Sequence, residues 1–350
     1  MLLGLAITEH CNLRCPHCIR DDVTTVRNLD PDLILRTVDE ARLLFGDVRV
    51  SMTGGEPTIH PQWDRIIASL HERGVSYRFV SNGWHMRRLM PGLDRHPPAF
   101  VRLSLSGGDE AVHDAERGRG SFRRVLMAVA LLTSRQIPTS LGFVVDRRDR
   151  HQLRQAADLA EALGCMSINF TMCQPVPGTA ARDSDLAPRE WYSARDEILA
   201  MGRENRRTAV MLDYGAPSVG PQELRCDTFS HDRMYVDAHG RLSMCCQLSE
   251  YGDNEADVVA DLRKESLTAV WSRYTERMAE LERASAEIRD GGGEYDPFPC
   301  IRCARALGKM DWIRQYPDSP WAGAAEGGVR LAPARPLVSL SYAPRRLQAA

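Results

Sequence analysis

The residues most able to do chemistry stand close to the amino terminus. Cys11-Asn-Leu-Arg-Cys15-Pro-His-Cys18 places three thiols within eight residues, directly after an apolar run. Three thiolates so spaced can wrap one soft metal centre. A structural zinc completed by His10 or His17 is one occupant. The other is a cuboidal iron–sulfur cluster, which needs four ligands; three thiolates leave one iron open to bind and activate a small molecule. A second set lies in the C-terminal third: Cys226, Cys245, Cys246, Cys300 and Cys303, with Cys165 and Cys173 between the two sets. Ten cysteines in 350 residues is too sparse for a disulfide scaffold, so clusters of this kind read as metal ligands or catalytic groups.

The elements around these residues alternate. Leu2–Thr8, Val48–Met52, Tyr77–Ser81, Phe100–Leu105, Thr139–Val145 and Met166–Met172 read as strands. Between them lie amphipathic stretches over Pro31–Phe45, Gln62–Glu72, Phe122–Ser134 and His151–Leu163. Strands alternating with helices of this length predict βαβ units on a parallel sheet. Right-handed crossovers curl six of them into a partial (β/α)6 parallel barrel, an α/β fold. In such barrels the chemistry sits at the C-terminal ends of the strands, where the three-cysteine loop falls. A helix near Arg189–Arg203 and a strand at Val210–Asp213 follow. The pattern then changes to a hairpin, Met234–Val236 and Leu242–Cys245, turning through Asp237 to Gly240. A helix over Ser266–Ile288 precedes Gly291-Gly292-Gly293. The boundaries expected are a barrel core over 1–215, a small C-terminal α+β hairpin-helix cluster domain over 216–315, and a mobile tail over 316–350.

Composition excludes several classes. Forty-five Lys and Arg against 47 Asp and Glu leave a net charge of −2 and a pI near 6.6. That is no polybasic coat for nucleic acid or a membrane surface. The longest apolar run, Val125 to Leu132, is far short of the roughly 20 residues of a membrane helix. MLLGLAIT lacks a basic leader and meets Glu9 and His10 too early for a signal peptide. The expectation is a soluble cytoplasmic protein with no nucleic-acid or membrane partner.

The CxxxCxxC pattern after the first strand resembles the radical S-adenosylmethionine (SAM) superfamily. Family members usually carry an aromatic residue before the last cysteine, packed against adenine; here that position is His17. Thr53-Gly54-Gly55-Glu56-Pro57 matches the family's GGEP segment, which implies that its backbone and carboxylate bind the SAM amino group. Locally, Gly-Gly is only a turn with free φ. Ser81-Asn82-Gly83 ends strand three, where relatives often hold such a dipeptide, so Asn82 joins the expected set. Ser104 stands where the family's serine touches the SAM ribose, and Ser106 replaces a common Asp. Arg117, in His113-Asp114-Ala-Glu-Arg117-Gly118, stands where an arginine pairs with the SAM carboxylate, a task for a bidentate guanidinium; a solvated loop arginine is the alternative. The resemblance covers roughly residues 1–180.

Cys226, then Gly240 followed at five positions by Cys245, resembles the opening of the SPASM/Twitch extension. Tyr251-Gly252, Leu262, Ser266-Leu267 and Trp271 continue that resemblance, and Cys300-Ile-Arg-Cys303 closes the set. Four such cysteines imply one auxiliary 4Fe–4S cluster, with Cys246 spare or exchanging with Cys245; a zinc on the same thiolates remains the alternative.

The resemblance implies a 5′-deoxyadenosyl radical that abstracts a substrate hydrogen, with flavodoxin or ferredoxin as an external electron donor. An auxiliary cluster with four protein ligands implies net oxidation, foremost of a ribosomal peptide in natural-product biosynthesis. A dehydrogenase or epimerase of an aminocyclitol or sugar is the second reading. A non-catalytic iron–sulfur or zinc redox protein or sensor is the third. Epimerisation needs a hydrogen donor, for which Cys173 at the end of strand six is the candidate; a buried structural thiol is its plainer role. Cys165 reads as a small buried hydrophobe. A chain that starts at strand one leaves no room for a leader-binding domain, which argues against a self-sufficient peptide maturase. Trp191, Tyr192, Trp312 and Trp321 are aromatics for a substrate site or, more simply, for the core and surface.

Overall fold

The computed structural model describes residues 1–20, 26–213, 215–217, 226, 228–230, 232–249, 251, 254–326 and 330–331. Gly252 and residues 332–350, which carry part of the expected extension pattern and of the expected tail, lie outside them.

Seven strands alternate with helices in the order β1 (Leu2–Thr8), α1 (Pro31–Phe45), β2 (Arg49–Gly54), α2 (Trp63–Glu72), β3 (Tyr77–Ser81), α3 (Met86–Arg95) and β4 (Phe100–Leu105). Next come α4 (Glu110–Arg117), α5 (Ser121–Thr133), β5 (Thr139–Val145), α6 (Leu153–Ala162), β6 (Ser167–Met172), α7 (Pro177–Ala180), α8 (Pro188–Gly202) and β7 (Ala209–Leu212). Local chemistry starts and stops these elements. Asp30 caps α1 by accepting from the Asp32 amide, Pro31 enters its first turn, and Gly46 ends it at φ 72°. Asp109 caps α4 through the Val112 amide at 3.0 Å.

All neighbouring strands from β1 to β7 pair in parallel. One face, carrying Leu3, Leu5, Val50, Met52, Phe79, Leu103, Phe143 and Phe170, is fully buried under the helices. The other face carries Gly4, Ser51, Arg78, Arg102, Ser104, Asn169 and Thr171. Parallel strands covered on both faces read as continuous apolar runs; these alternate because their second face lines a polar lumen. The sheet is curled. Arg102 on β4 and Asp213 just past β7 belong to strands three apart, about 14 Å across a flat sheet, yet their side chains approach to 3.9 Å.

The C-terminal part extends the same sheet. β8 (Arg233–Val236) pairs in parallel with β1, placing Leu2 opposite Arg233 and Gly4 opposite Tyr235. β9 (Arg241–Ser243) and β10 (Val258–Asp261) follow in antiparallel, giving the order β10-β9-β8-β1-β2-β3-β4-β5-β6-β7. The hairpin expected to form a separate small domain is therefore hydrogen-bonded to the first strand of the barrel. α9 (Cys246–Ser249), α10 (Leu267–Asp290, capped by Ser266) and α11 (Pro299–Ala306) are the last α-helices among the described residues. A buried pair, Lys309 Nζ to Asp257 at 2.6 Å, locks the strand β10 side to the segment after α11; Lys309 also donates to the Tyr251 and Asn254 carbonyls.

Residues 316–326, expected in the mobile tail, are packed. Trp321 is fully buried, its ring meets Phe298 edge-on, and its Nε1 donates to the Leu186 carbonyl at 2.9 Å. Trp321→Ala should cost about 3–5 kcal/mol, read as a lowered urea midpoint at unchanged slope. A loss below about 1 kcal/mol would contradict this packing.

Candidate functional site

The loop after β1 is held against the end of β2 by backbone alone. The Gly55 amide donates to the Thr8 carbonyl at 2.8 Å, and the Glu56 amide to the His10 carbonyl at 2.7 Å. Gly54 sits at φ +127°, and a Cβ on it would stand 2.2 Å from the Thr8 oxygen. A Cβ on Gly55 would stand 2.1 Å from the His10 oxygen. Only glycine allows the three-cysteine loop to lie this close.

Glu56 is buried behind that junction. Its Oε1 accepts from the Thr58 and Ser81 hydroxyls at 2.6 and 2.9 Å, and its Oε2 accepts from the Asn82 amide at 2.7 Å. Burial pushes the carboxyl up from its ordinary value while these donors pull it back. Glu56 thereby ties the end of β2 to the end of β3. Asn82 continues the tie forward: its Nδ2 donates to Asn12 Oδ1 at 2.9 Å, 4.0 Å from Cys11 Sγ. Burial pushes the free Cys11 thiol up to about 11; a bound cation acts in the opposite sense.

On the other flank, α4 delivers Arg117 to the loop. Its Nε donates to Ser106 Oγ at 2.7 Å, its Nη2 meets His17 Nε2 at 3.2 Å, and its Nη1 reaches Cys15 Sγ at 3.8 Å. Arginine only donates, so Nε2 of His17 accepts and its proton sits on Nδ1, facing Glu116 Oε2 at 3.4 Å. Burial lowers the His17 pKa, which keeps the ring neutral. Glu116 passes the network to Arg148 at 2.9 Å, and Arg148 to Asp146 at 2.6 Å. Arg117, His17 and Ser106 are therefore assembled at the cysteine loop, and Arg117 is no solvated loop residue. Sequence reasoning missed Asn12, Glu116, Asp146 and Arg148; the alternation of charge after β5 was the signal available. Ser104 lies on the lumen face of β4.

Cys173 follows β6 and is buried, with Sγ 3.8 Å from the Gln174 carbonyl. Burial and the neighbouring Asp185, Asp146 and Asp149 push its thiol well up, so it stays S–H. Cys165 belongs to the apolar core, as do Trp191 and Trp321.

Cys226, Cys245, Cys300 and Cys303 line one pocket, walled by Phe229, Leu248 and Leu281. Cys300 and Cys303 share one face of α11 through their i,i+3 spacing. Cys246 is exposed at the start of α9, so Cys245 is the member that faces the cavity. Among the described residues no three His, Cys, Asp or Glu side chains converge as ligands of one ion. A cuboidal cluster makes a different demand, each thiolate binding its own iron. The cavity borders the end of β6, since a Cβ on Gly215 would lie 3.6 Å from Cys300 Sγ and 3.5 Å from Met172 Cβ.

An open parallel α/β barrel with three thiols at the mouth of its first strand, a glycine junction beside them and four more thiols at the far edge of that mouth defines a barrel of the iron–sulfur class. The family model described as the Radical SAM superfamily matches residues 5–160. That match spans a little under half of the chain and marks residues 5–160 as a radical SAM domain. The PqqA peptide cyclase of Granulibacter bethesdensis is 25% identical over 316 residues, covering 87% of this chain and 79% of that protein. A probable GTP 3′,8-cyclase of Saccharolobus solfataricus is 26% identical over 281 residues, covering 75% of this chain and 87% of that protein. The structure of Streptococcus suis SuiB bound to its precursor peptide SuiA aligns with a TM-score of 0.64 at 14% identity, over 77% of this chain. The chain spans 64% of SuiB, less than two thirds; the likeness is one of fold. No helix among the described residues is long and apolar enough to cross a membrane.

Asp185, fully enclosed beside Cys173, has a carboxyl that burial raises from an ordinary 3.8 to about 6. The folded chain then holds a proton that the unfolded chain has lost between those values. This contribution to stability is full below about pH 4 and is lost as pH rises through about 6. Asp185→Asn should therefore be more stable than the wild type near pH 7, by up to about 3 kcal/mol, with the two converging as pH falls toward about 4. Urea unfolding across that range checks it; a constant difference at every pH would rule out the buried titration.

Proposed function

We propose that the protein uses reductive SAM cleavage to oxidise a ribosomal peptide during natural-product biosynthesis. The observation that carries this is the glycine junction that presses the Cys11–Cys15–Cys18 loop onto the end of β2, with Arg117 and His17 closing its other side.

The donor set fits the family's groups. Cys11, Cys15 and Cys18 would ligate three irons of the cluster, leaving the fourth for SAM. With both bound, the chemistry supplied is one-electron cleavage of the sulfonium and abstraction of a substrate hydrogen. The chain's own residues do the rest. Gly54 and Gly55 expose backbone at closest approach, and Glu56 holds β2 and β3 in register. Arg117 places positive charge beside Cys15. Asn82 and Ser104 line the same mouth. Cys226, Cys245, Cys300 and Cys303 would hold the auxiliary 4Fe–4S cluster, fully ligated and so an electron acceptor rather than a substrate site; this supports net oxidation. A flavodoxin or ferredoxin would deliver the first electron, in the cytoplasm. The peptide cyclase and peptide-bound SuiB among the similar proteins support a peptide substrate.

One observation favours a second reading. Cys173 is kept as a neutral thiol, the form a hydrogen-atom donor needs in a redox-neutral epimerisation.

Anaerobic reconstitution should load about eight irons per chain, four for each cubane, and dithionite should then release 5′-deoxyadenosine. Cys18→Ala should lower that release to background while about four irons remain. Zinc in place of iron, with SAM left intact, defeats the proposal. Cys173→Ala separates the two readings: unchanged turnover supports oxidation, whereas accumulation of an oxidised or radical product supports hydrogen donation.

A further inference from the structure

One imidazole at the cysteine loop is gripped from both ends. His17, where the family's aromatic ring stands, lies with Nε2 3.2 Å from Arg117 Nη2 and Nδ1 3.4 Å from Glu116 Oε2. A guanidinium only donates and a carboxylate only accepts, so a single tautomer satisfies both contacts, the neutral ring with its proton on Nδ1. All three side chains are buried. The grip has fixed supports. Arg148 Nη1 and Nη2 stand 2.9 and 3.0 Å from the two oxygens of Glu116, and Arg148 is itself held by Asp146 at 2.6 Å. Asp146 in turn accepts from the Arg148 and Asp149 amides at 2.8 and 3.2 Å. Glu116 and Arg117 end α4, and Asp114 pins that end by accepting from the Phe122 amide at 2.8 Å. On the loop itself, the Pro16 carbonyl accepts from Arg182 at 2.7 Å. Arg117 commits its Nε–H to Ser106, one Nη2–H to His17 and one Nη1–H to Cys15 at 3.8 Å. One N–H is left on each Nη, and such a pair can fork onto a carboxylate.

We propose that Glu116 is a positioning residue for SAM: it fixes the tautomer and plane of His17, and through that ring holds Arg117 with its remaining N–H pair free for the SAM carboxylate. The inference rests on the SAM-cleaving reading above and deepens it. A phenyl ring at position 17 would make no such demand, because it offers no nitrogen to orient. With imidazole the demand is strict. If Glu116 is removed, the ring is free to turn over or to carry its proton on Nε2. That N–H then faces the Arg117 N–H, donor against donor, and the guanidinium loses its acceptor. Glu116 therefore acts at one remove, on the residue beside Cys18 and on the arginine beside Cys15, without meeting SAM itself.

SAM binding to the full-length, reconstituted and oxidised protein is measured by equilibrium dialysis, without reductant and so apart from turnover. Glu116→Ala should weaken it at least about tenfold. In His17→Phe protein the same change should matter by less than about twofold, since the ring through which Glu116 acts is gone. Nitrogen-15 NMR of labelled histidine should show His17 protonated on Nδ1 and bare on Nε2 in the wild type, and that signature should vanish in Glu116→Ala. The His17 signal is assigned by difference against His17→Phe or His17→Gln, so the outcome does not depend on one variant folding. Equal loss of SAM affinity in both backgrounds, no loss in either, or a wild-type ring protonated on Nε2 overturns the proposal. Reductant-dependent 5′-deoxyadenosine release by the wild type is measured alongside. Its failure, with SAM binding and the contrast between backgrounds intact, would sink the radical reading and leave Glu116 in its role. Release accompanied by equal losses does the reverse.

Discussion

Two backbone hydrogen bonds and two missing side chains govern the architecture of the site. Where Gly54 and Gly55 pass under the carbonyls of Thr8 and His10, any Cβ would overlap an oxygen at little more than 2 Å. That contact joins the ends of β1 and β2 and sets the height of the cysteine loop above the barrel. Everything else braces it. Glu56 fastens β2 to β3, Asn82 reaches Asn12, and His239, in the hairpin turn, meets Glu9 at 2.9 Å. The loop is thus fixed from three neighbouring strands and from the C-terminal hairpin at once.

Continuity of the sheet gives the two cysteine sets a common frame. Because β8 pairs with β1, the strand that leads to Cys11 is hydrogen-bonded to the hairpin that leads to Cys245. Cys300 approaches the end of β6 from the other side of the mouth. A shift of one set relative to the other would have to break sheet hydrogen bonds, so the fold fixes their separation.

Charge is segregated within the same space. The lumen holds Arg78 and Arg102 with Asp213, whereas the region of Cys173 gathers Asp146, Asp149 and Asp185, the last two with buried oxygens that no donor reaches. Burial acts oppositely on the two groups, weakening the arginines as cations and holding Asp149 and Asp185 toward the protonated form.

Much of this was legible in the linear order of residues. Four strands, β1, β3, β4 and β5, and the first helix have the bounds that apolar alternation and Pro, Gly and Asn punctuation indicate, and the thiol and diglycine motifs are local by nature. The elements that escaped notice have weak local signals. α3 carries Pro91 inside an arginine-rich turn, α4 is short and polar, and β10 is an edge strand of four residues. The packed segment around Trp321 looked like a tail because Ala, Gly and Pro dominate it, and its main anchor is one buried ring.

The amino-acid order by itself determined which side chains are suited to a soft metal and which turns need glycine, since these depend on residue type and short spacing. The tertiary structure decided that Glu56 is a brace, that Arg117 grips His17 and Ser106, and that the hairpin extends the barrel sheet. It also brought Arg102 on β4 to 3.9 Å from Asp213 just past β7. Those relations join residues dozens to hundreds of positions apart, and only the curl of the sheet brings them within reach of one another.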